Sequence, residues 1–165
     1  MTPAFSNLLV PTDFSPGSRL ALDYALALAK RLDARIHVLH VVEDPAITGM
    51  WTEAYLDINA LREEREADAE RLMRALLKTA GAEDASHEIA AGPVPETIAA
   101  AASDHAADFI VMGTHGRTGL AHALVGSVAE RVIRTAACPV LTVREEAAGA
   151  VHPAPATLRS ASAGA

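Results

Sequence analysis

The stretch Gly113–Thr114–His115–Gly116, with Gly126–Ser127 following after nine intervening residues, decides how this chain is read. Directly before it stands Asp108–Phe109–Ile110–Val111–Met112, an apolar run with no polar alternation. Such a run predicts a strand buried on both faces, as in a parallel sheet. Glycines just past the carboxyl end of that strand let the backbone turn tightly and approach a ligand closely. The helical pattern that begins at Ser127 would then aim free N–H groups and a positive dipole end at the same place. A bulky side chain at Gly113 or Gly126 should therefore fill space meant for an anion and leave the strands intact.

Working outward, strands and helices alternate. Asn7–Pro11 reads as the first strand, and Ser15–Pro16 opens a helix, Ser15 as N-cap and Pro16 at the first helical position. Leu20, Leu22, Ala25, Leu26 and Ala29 form its apolar stripe. Arg35–Val42 is a β-branched second strand that Pro45 ends. A long helix is predicted from about Leu56 to Ala80, with Leu61, Ala69, Leu72, Met73, Leu76 and Leu77 on one side. Glu63, Glu64, Arg65, Glu66 and Arg71 make the opposite, solvated side, and Gly81 stops the helix. Ser86–Ala90 is polar enough to be an edge strand. An alanine-rich helix runs from Pro95 to about His105, a helix spans about Ser127 to Ala136, and Cys138–Val143 is a fifth strand. Helical spacing of Leu120, Leu124, Val128 and Val132 would also allow the last helix to begin at Leu120. That choice strands Gly126 in mid-helix at a cost of roughly 1 kcal/mol, and a start at Gly126–Ser127 explains the glycine better.

Alternating strands and helices imply five parallel strands covered by helices on both faces. In such sheets ligands bind beyond the carboxyl ends of the strands, where strand order reverses. Pro11–Asp13, Val41–Val42, Gly92 and the 113–127 segment converge there. Residues 1–144 make one domain, and 145–165, rich in Ala, Pro, Ser and Gly, read as a disordered tail.

Composition narrows the function. The chain has 165 residues, half of them apolar, and a formal charge of −7, enough for one core and of the wrong sign for a nucleic-acid partner. Neither a membrane span nor a secretory signal is evident, and Cys138 is the single cysteine, so a cytoplasmic protein is expected. His37, His87, His105, His122 and His152 have no metal-ligand spacing, His40 reads as a hydrogen-bonded core residue, and Cys138 as an inert buried thiol. A Walker-type G-x4-G-K-[S/T], a G-x-G-x-x-G fingerprint and a G-x-S-x-G elbow are all lacking.

The set Pro11–Thr12–Asp13, His40–Val41–Val42, Gly92-x-Pro-x-x-x-Ile98 and G-x2-G-x9-G-S at 113–127 resembles the ATP-binding branch of the universal stress protein family, over residues 5–144. The resemblance implies a Rossmann-like sheet of order 3-2-1-4-5, of the adenine nucleotide alpha hydrolase type. It places Pro11, Thr12 and Asp13 near the base and ribose, and the Val41 main chain at the adenine edge. Met112, Gly113, His115, Gly116 and Arg117 surround the phosphates, and Gly126, Ser127 and Val128 complete the cradle. Asp13 can accept from ribose hydroxyls or simply form a turn. Arg117 can bond phosphate bidentately, His115 less strongly. The implied ligand is ATP, with Mg²⁺ or Mn²⁺ as accompanying ions, although no second carboxylate is placed beside Asp13 to hold one. A homodimer is implied through residues 140–143. Two further readings stay open: a scaffold or regulatory dimer of the same fold that does not bind ATP, and a slow ATPase or phosphotransferase.

Overall fold

Five strands and four helices alternate along the chain in a computed structural model that describes residues 5–43, 58–114 and 125–144. In order they are β1 (Asn7–Pro11), α1 (Pro16–Leu32), β2 (Arg35–Val42), α2 (Ile58–Ala80), β3 (Ser86–Ala91), α3 (Val94–Asp104), β4 (Phe109–Gly113), α4 (Ser127–Thr135) and β5 (Val140–Val143). All strand pairs are parallel and the sheet order is β3-β2-β1-β4-β5. The chain therefore reverses direction across the sheet at β1, whose carboxyl end lies between β2 and β4, the position where doubly wound folds open a crevice.

Strand alternation divides the core into two layers. Leu8, Val10, Ile36, Val38, Val111 and Val143 face α1 and α2, meeting Ala21, Leu22, Ala25, Met73 and Leu77. Leu9, Leu39, Val41, Ile110 and Met112 face α3 and α4, meeting Ile98, Ala101, Ala102, Ala129 and Val132. Leu8, Leu9 and Val10 are all buried, which is why β1 reads as an unbroken apolar run. β3 lies at one edge, as its polarity predicts, and β5 at the other.

Some boundaries differ from the sequence reading. Asp108 stands outside β4, and its Oδ2 accepts from the amides of Ser6 (2.6 Å) and Asn7 (2.9 Å), tying the start of β1 to β4. Gly113, expected just past the strand, is its last residue. β5 begins at Val140 and not at Cys138. α3 starts one residue early, at Val94. The first residues expected in α2, the loop from 115 to 124 and the tail from 145 lie outside the described residues.

Candidate functional site

The turn after β1 is built by its own side chains. Ser15 caps α1, its Oγ accepting from the Ser18 amide at 3.2 Å. Asp13 Oδ1 accepts from both the amide (3.0 Å) and the hydroxyl of Ser15. Ser18 Oγ donates to Ser15 O at 3.0 Å and lies 3.0 Å from Thr12 Oγ1, which in turn accepts from the Phe14 amide at 3.1 Å. The main chain of Thr12 is equally engaged, its N–H donating to Leu39 O and its carbonyl accepting from His40 Nδ1 at 2.7 Å. Thr12 thus shapes this wall by position, and the turn-forming role considered for Asp13 is realised. His40 is buried and hydrogen-bonded, as expected of a core histidine, and its ring packs on Phe14 at 4.4 Å. Phe14 itself has φ of 64°, a left-handed conformation that bulky residues rarely adopt. The Thr12 hydroxyl and the His40 ring hold it there.

Across the crevice the second helix start is different. Gly126 is the N-cap of α4 with an extended backbone (φ −72°, ψ 157°), and no side chain caps the helix. Its amide donates to Thr114 O at 2.7 Å, while the Thr114 amide donates to Val143 O. The end of β4, the tip of β5 and the α4 start are thereby locked together. Gly126 outside the helix decides the choice of helix start in favour of Ser127. The N–H groups of the first turn have no intrahelical acceptor, and Ser127, Val128 and Ala129 line the crevice. These are the donors and the dipole end that an anion uses.

Gly113 departs from expectation. A Cβ there would lie 3.0 Å from the carbonyl carbon and oxygen of Gly17 and 3.3 Å from the Ser18 amide. Its lack of a side chain lets β4 approach the first turn of α1, so a bulky residue disturbs the fold as well as the crevice, contrary to the sequence reading. At Gly92, φ of 146° and a Cβ contact of 2.8 Å to Thr97 Oγ1 make glycine necessary for the turn into α3.

Between the two helix starts lies a hollow of about 690 Å³. Pro11, Thr12, Asp13, Val41, Met112, Gly113, Gly126, Ser127 and Val128 all line it, so every proposed site residue within the described chain converges there. His115, Gly116 and Arg117 lie outside the described residues. Sequence reasoning missed Phe14, His40 and a wall from α2: Arg65, Asp68, Ala69 and Leu72. Arg65 was assigned to the solvated side of α2, yet it lines the hollow. Leu72 was placed in the apolar stripe, yet it is 50% exposed, facing the crevice rim and not the core. The hollow's described ionic side chains are three carboxylates, Asp13, Glu43 and Asp68, against one guanidinium, Arg65. Among the described residues the backbone donors of α4, with Arg65, are what the hollow offers an anion against that carboxylate excess.

Elsewhere, burial raises the Cys138 thiol above its ordinary value, which favours its protonated, less reactive form. Burial first, then neighbouring His105, lowers the basicity of His37. Sequence spacing gave no grouping of histidines, but the fold brings His37, Glu88 and His105 together at the amino end of the sheet.

Five parallel strands in this order, with a crevice at the strand-order reversal and an uncapped helix start on its wall, define a doubly wound α/β protein. The model of the universal stress protein family matches residues 4–144, and the chain belongs to that family. Universal stress protein MJ0531 of Methanocaldococcus jannaschii is 35% identical over 142 residues, covering 86% of this chain and 83% of the relative. The solved structure of MJ0577, a universal stress protein of the same organism, superimposes with a TM-score of 0.73 at 30% identity, covering 86% of this chain and 97% of that one. A universal stress protein solved in complex with cAMP shares the fold at a TM-score of 0.63 and 23% identity, with 87% and 99% covered.

Proposed function

We propose that this protein binds ATP in the crevice between β1 and β4 and acts as a regulatory, stress-response nucleotide-binding homodimer in the cytoplasm. The observation that carries the reading is the uncapped start of α4 on the wall of a hollow of about 690 Å³, a size typical of small-molecule sites. The first-turn amides of α4 and Gly126–Ser127–Val128 would hold the phosphates, with Met112, Gly113, His115, Gly116 and Arg117 around them. Asp13 would accept from the ribose hydroxyls, Pro11 and Thr12 would shape that wall, and the Val41 main chain would read the adenine edge. Bound ATP would supply the charge that these donors neutralise, with Mg²⁺ or Mn²⁺ beside it.

Capture of ATP with at most slow turnover is favoured over efficient catalysis, because the sequence lacks a Walker-type lysine and offers no identifiable general base or metal cage. A second reading, a dimeric scaffold whose crevice does not take ATP, draws support from the excess of carboxylates around the hollow. Mass spectrometry of ligand released from the purified protein by denaturation separates the two. Co-purified ATP, or saturable calorimetric binding of added ATP, supports the first, and absence of both overturns it.

The dimer reading rests on β5, an edge strand on which Leu141 is 41% exposed. An apolar edge with unpaired backbone groups calls for a partner. Sedimentation equilibrium should show a dimer that survives truncation after Glu146, since residues 1–144 carry the proposed domain. Leu141→Pro, checked for folding by circular dichroism, should be monomeric because proline cannot donate to a strand ladder. No described helix is long and apolar enough to cross a membrane, in keeping with the proposed location.

A further inference from the structure

The sheet has a second constellation at its other end. His37 near the start of β2 sits directly opposite Ser86 at the start of β3, and Glu88 follows two residues later on the same sheet face. His105, the C-cap of α3, folds over both and stacks on the His37 ring at 3.7 Å. β2 and the distant β3–α3 pair thus bring two imidazoles and one carboxylate together, with ligand atoms all within 4.8 Å of one another.

Hydrogen bonding fixes the state of His37. Ser86 Oγ donates to the Ile36 carbonyl at 3.1 Å, so toward His37 Nδ1, 2.9 Å away, it acts as acceptor. With that hydroxyl turned to the carbonyl, Nδ1 carries the ring proton and the neutral ring presents its Nε2 lone pair. That Nε2 is buried, makes no close hydrogen bond among the described residues, and faces Glu88 Oε2 at 3.5 Å. The largely buried His37 ring and the exposed Glu88 carboxylate thus share an edge that a proton or a cation can bridge. A backbone-anchored hydroxyl that fixes the distal nitrogen of a histidine is also the support that metal-bound imidazoles use.

We infer that His37, Glu88 and His105 form a site for a divalent transition-metal ion, separate from the nucleotide crevice. Ligands at 2.0–2.1 Å from a tetrahedral ion lie about 3.4 Å from one another. Two of the three edges here, Glu88 Oε2 to His37 Nε2 and to His105 Nε2, are already 3.5 and 3.1 Å. The third, between the two histidines, is within 4.8 Å, and His105 is exposed at the helix end, where its ring has room to adjust. Nitrogen and carboxylate ligands select zinc-like ions over magnesium or calcium, which prefer oxygen alone. Three protein ligands leave a coordination position open toward an adjoining hollow of about 350 Å³ bordered by Arg35 and Asp104, with room for water or a small anion. His37 stands four residues before Val41 on β2, about 13 Å of strand away from the crevice.

The test is calorimetric titration of the untagged, chelator-stripped full-length protein with Zn²⁺ alone, alongside the electronic spectrum of the Co²⁺-loaded form. One ion per chain is expected, with cobalt bands of four-coordinate nitrogen and oxygen ligation. His105→Ala and the near-isosteric Glu88→Gln should each weaken Zn²⁺ by at least about tenfold, and Ser86→Ala by a comparable factor with the cobalt spectrum retained. His87→Ala removes a histidine paired with Glu70 on the opposite sheet face and should change nothing. ATP titrations should be the same for wild type and His105→Ala, so failure of the metal site and failure of the nucleotide reading are distinguishable. Lack of saturable Zn²⁺ binding, unchanged affinity in both His105→Ala and Glu88→Gln, or loss of binding only on replacing His115 or His152 would each overturn the assignment.

Discussion

Two helix starts face each other across the crevice, and they are finished in opposite ways. At α1, Ser15 caps the helix, Asp13 holds Ser15, and Thr12 and Ser18 fill the remaining positions. At α4, Gly126 occupies the cap and offers no side chain. Both sequences supply a small residue before an apolar-periodic stretch, but only the first supplies its own oxygen to the orphan amides. The saturated start has its amides occupied by its own side chains, and the unsaturated start leaves them open toward the hollow. Under the proposed reading that contrast would give the crevice a direction, with phosphates toward α4 and the sugar toward the Asp13 turn.

The most severe way to break the contrast is to push the two sides apart. Gly113→Val places new atoms against the Gly17 carbonyl, where a Cβ alone would already sit at a tight 3.0 Å from backbone that must give way. We expect a loss on the order of 3 kcal/mol in denaturant unfolding, at the upper end for overpacking. Unchanged stability would mean that β4 and α1 are less tightly apposed than described.

Removing the carboxylate from the saturated side comes next. Asp13→Ala should weaken ATP by roughly 1.5–3 kcal/mol, more than tenfold, and inorganic triphosphate far less. Calorimetry with both ligands decides, and equal weakening would reduce Asp13 to the turn residue that its bonds to Ser15 already make it.

Making the α4 start resemble the α1 start sharpens the comparison directly. The extended backbone of Gly126 accepts any residue, so Gly126→Asp can install a cap carboxylate. Stability should change by only a few tenths of a kcal/mol. ATP affinity should fall by about 1.4 kcal/mol or more, tenfold, because a fixed negative charge would take the donors meant for phosphate. Retained affinity would put the phosphates elsewhere.

The converse change is the smallest. Ser15→Ala strips the cap from α1 and should cost about 1 kcal/mol of stability in thermal unfolding, with ATP affinity within twofold of wild type. A large loss of affinity with little loss of stability would show that this start, too, serves the ligand.

Much of this was legible from residue order because it depends on local periodicity. The apolar runs at Leu8–Val10 and Ile110–Met112 specify strands buried on two faces, and Ser15–Pro16 and Gly126–Ser127 mark helix starts by cap chemistry that acts within one turn. The polarity of β3 foretold its place at the edge. The α2 wall was illegible for a physical reason. Arg65 and Leu72 each fit a helical face pattern, but which face meets solvent, core or crevice depends on how α2 lies across the sheet. Gly113 misled similarly, since a glycine beside a ligand and a glycine beside a helix have the same local signature, and only the approach of Gly17 separates them.

The sequence by itself determined the element types, the covering of both sheet faces by helices and the segments that meet at the carboxyl edge of the sheet, because backbone sterics, side-chain alternation and helix capping are near-neighbour effects. Tertiary structure alone decided which helix start is saturated, which glycine serves packing, and that His37, Glu88 and His105 meet at all. His37 is separated from Glu88 and His105 by β-pairing and a helix crossover, and strand register, a long-range property, is what turns such a separation into a distance of a few ångströms.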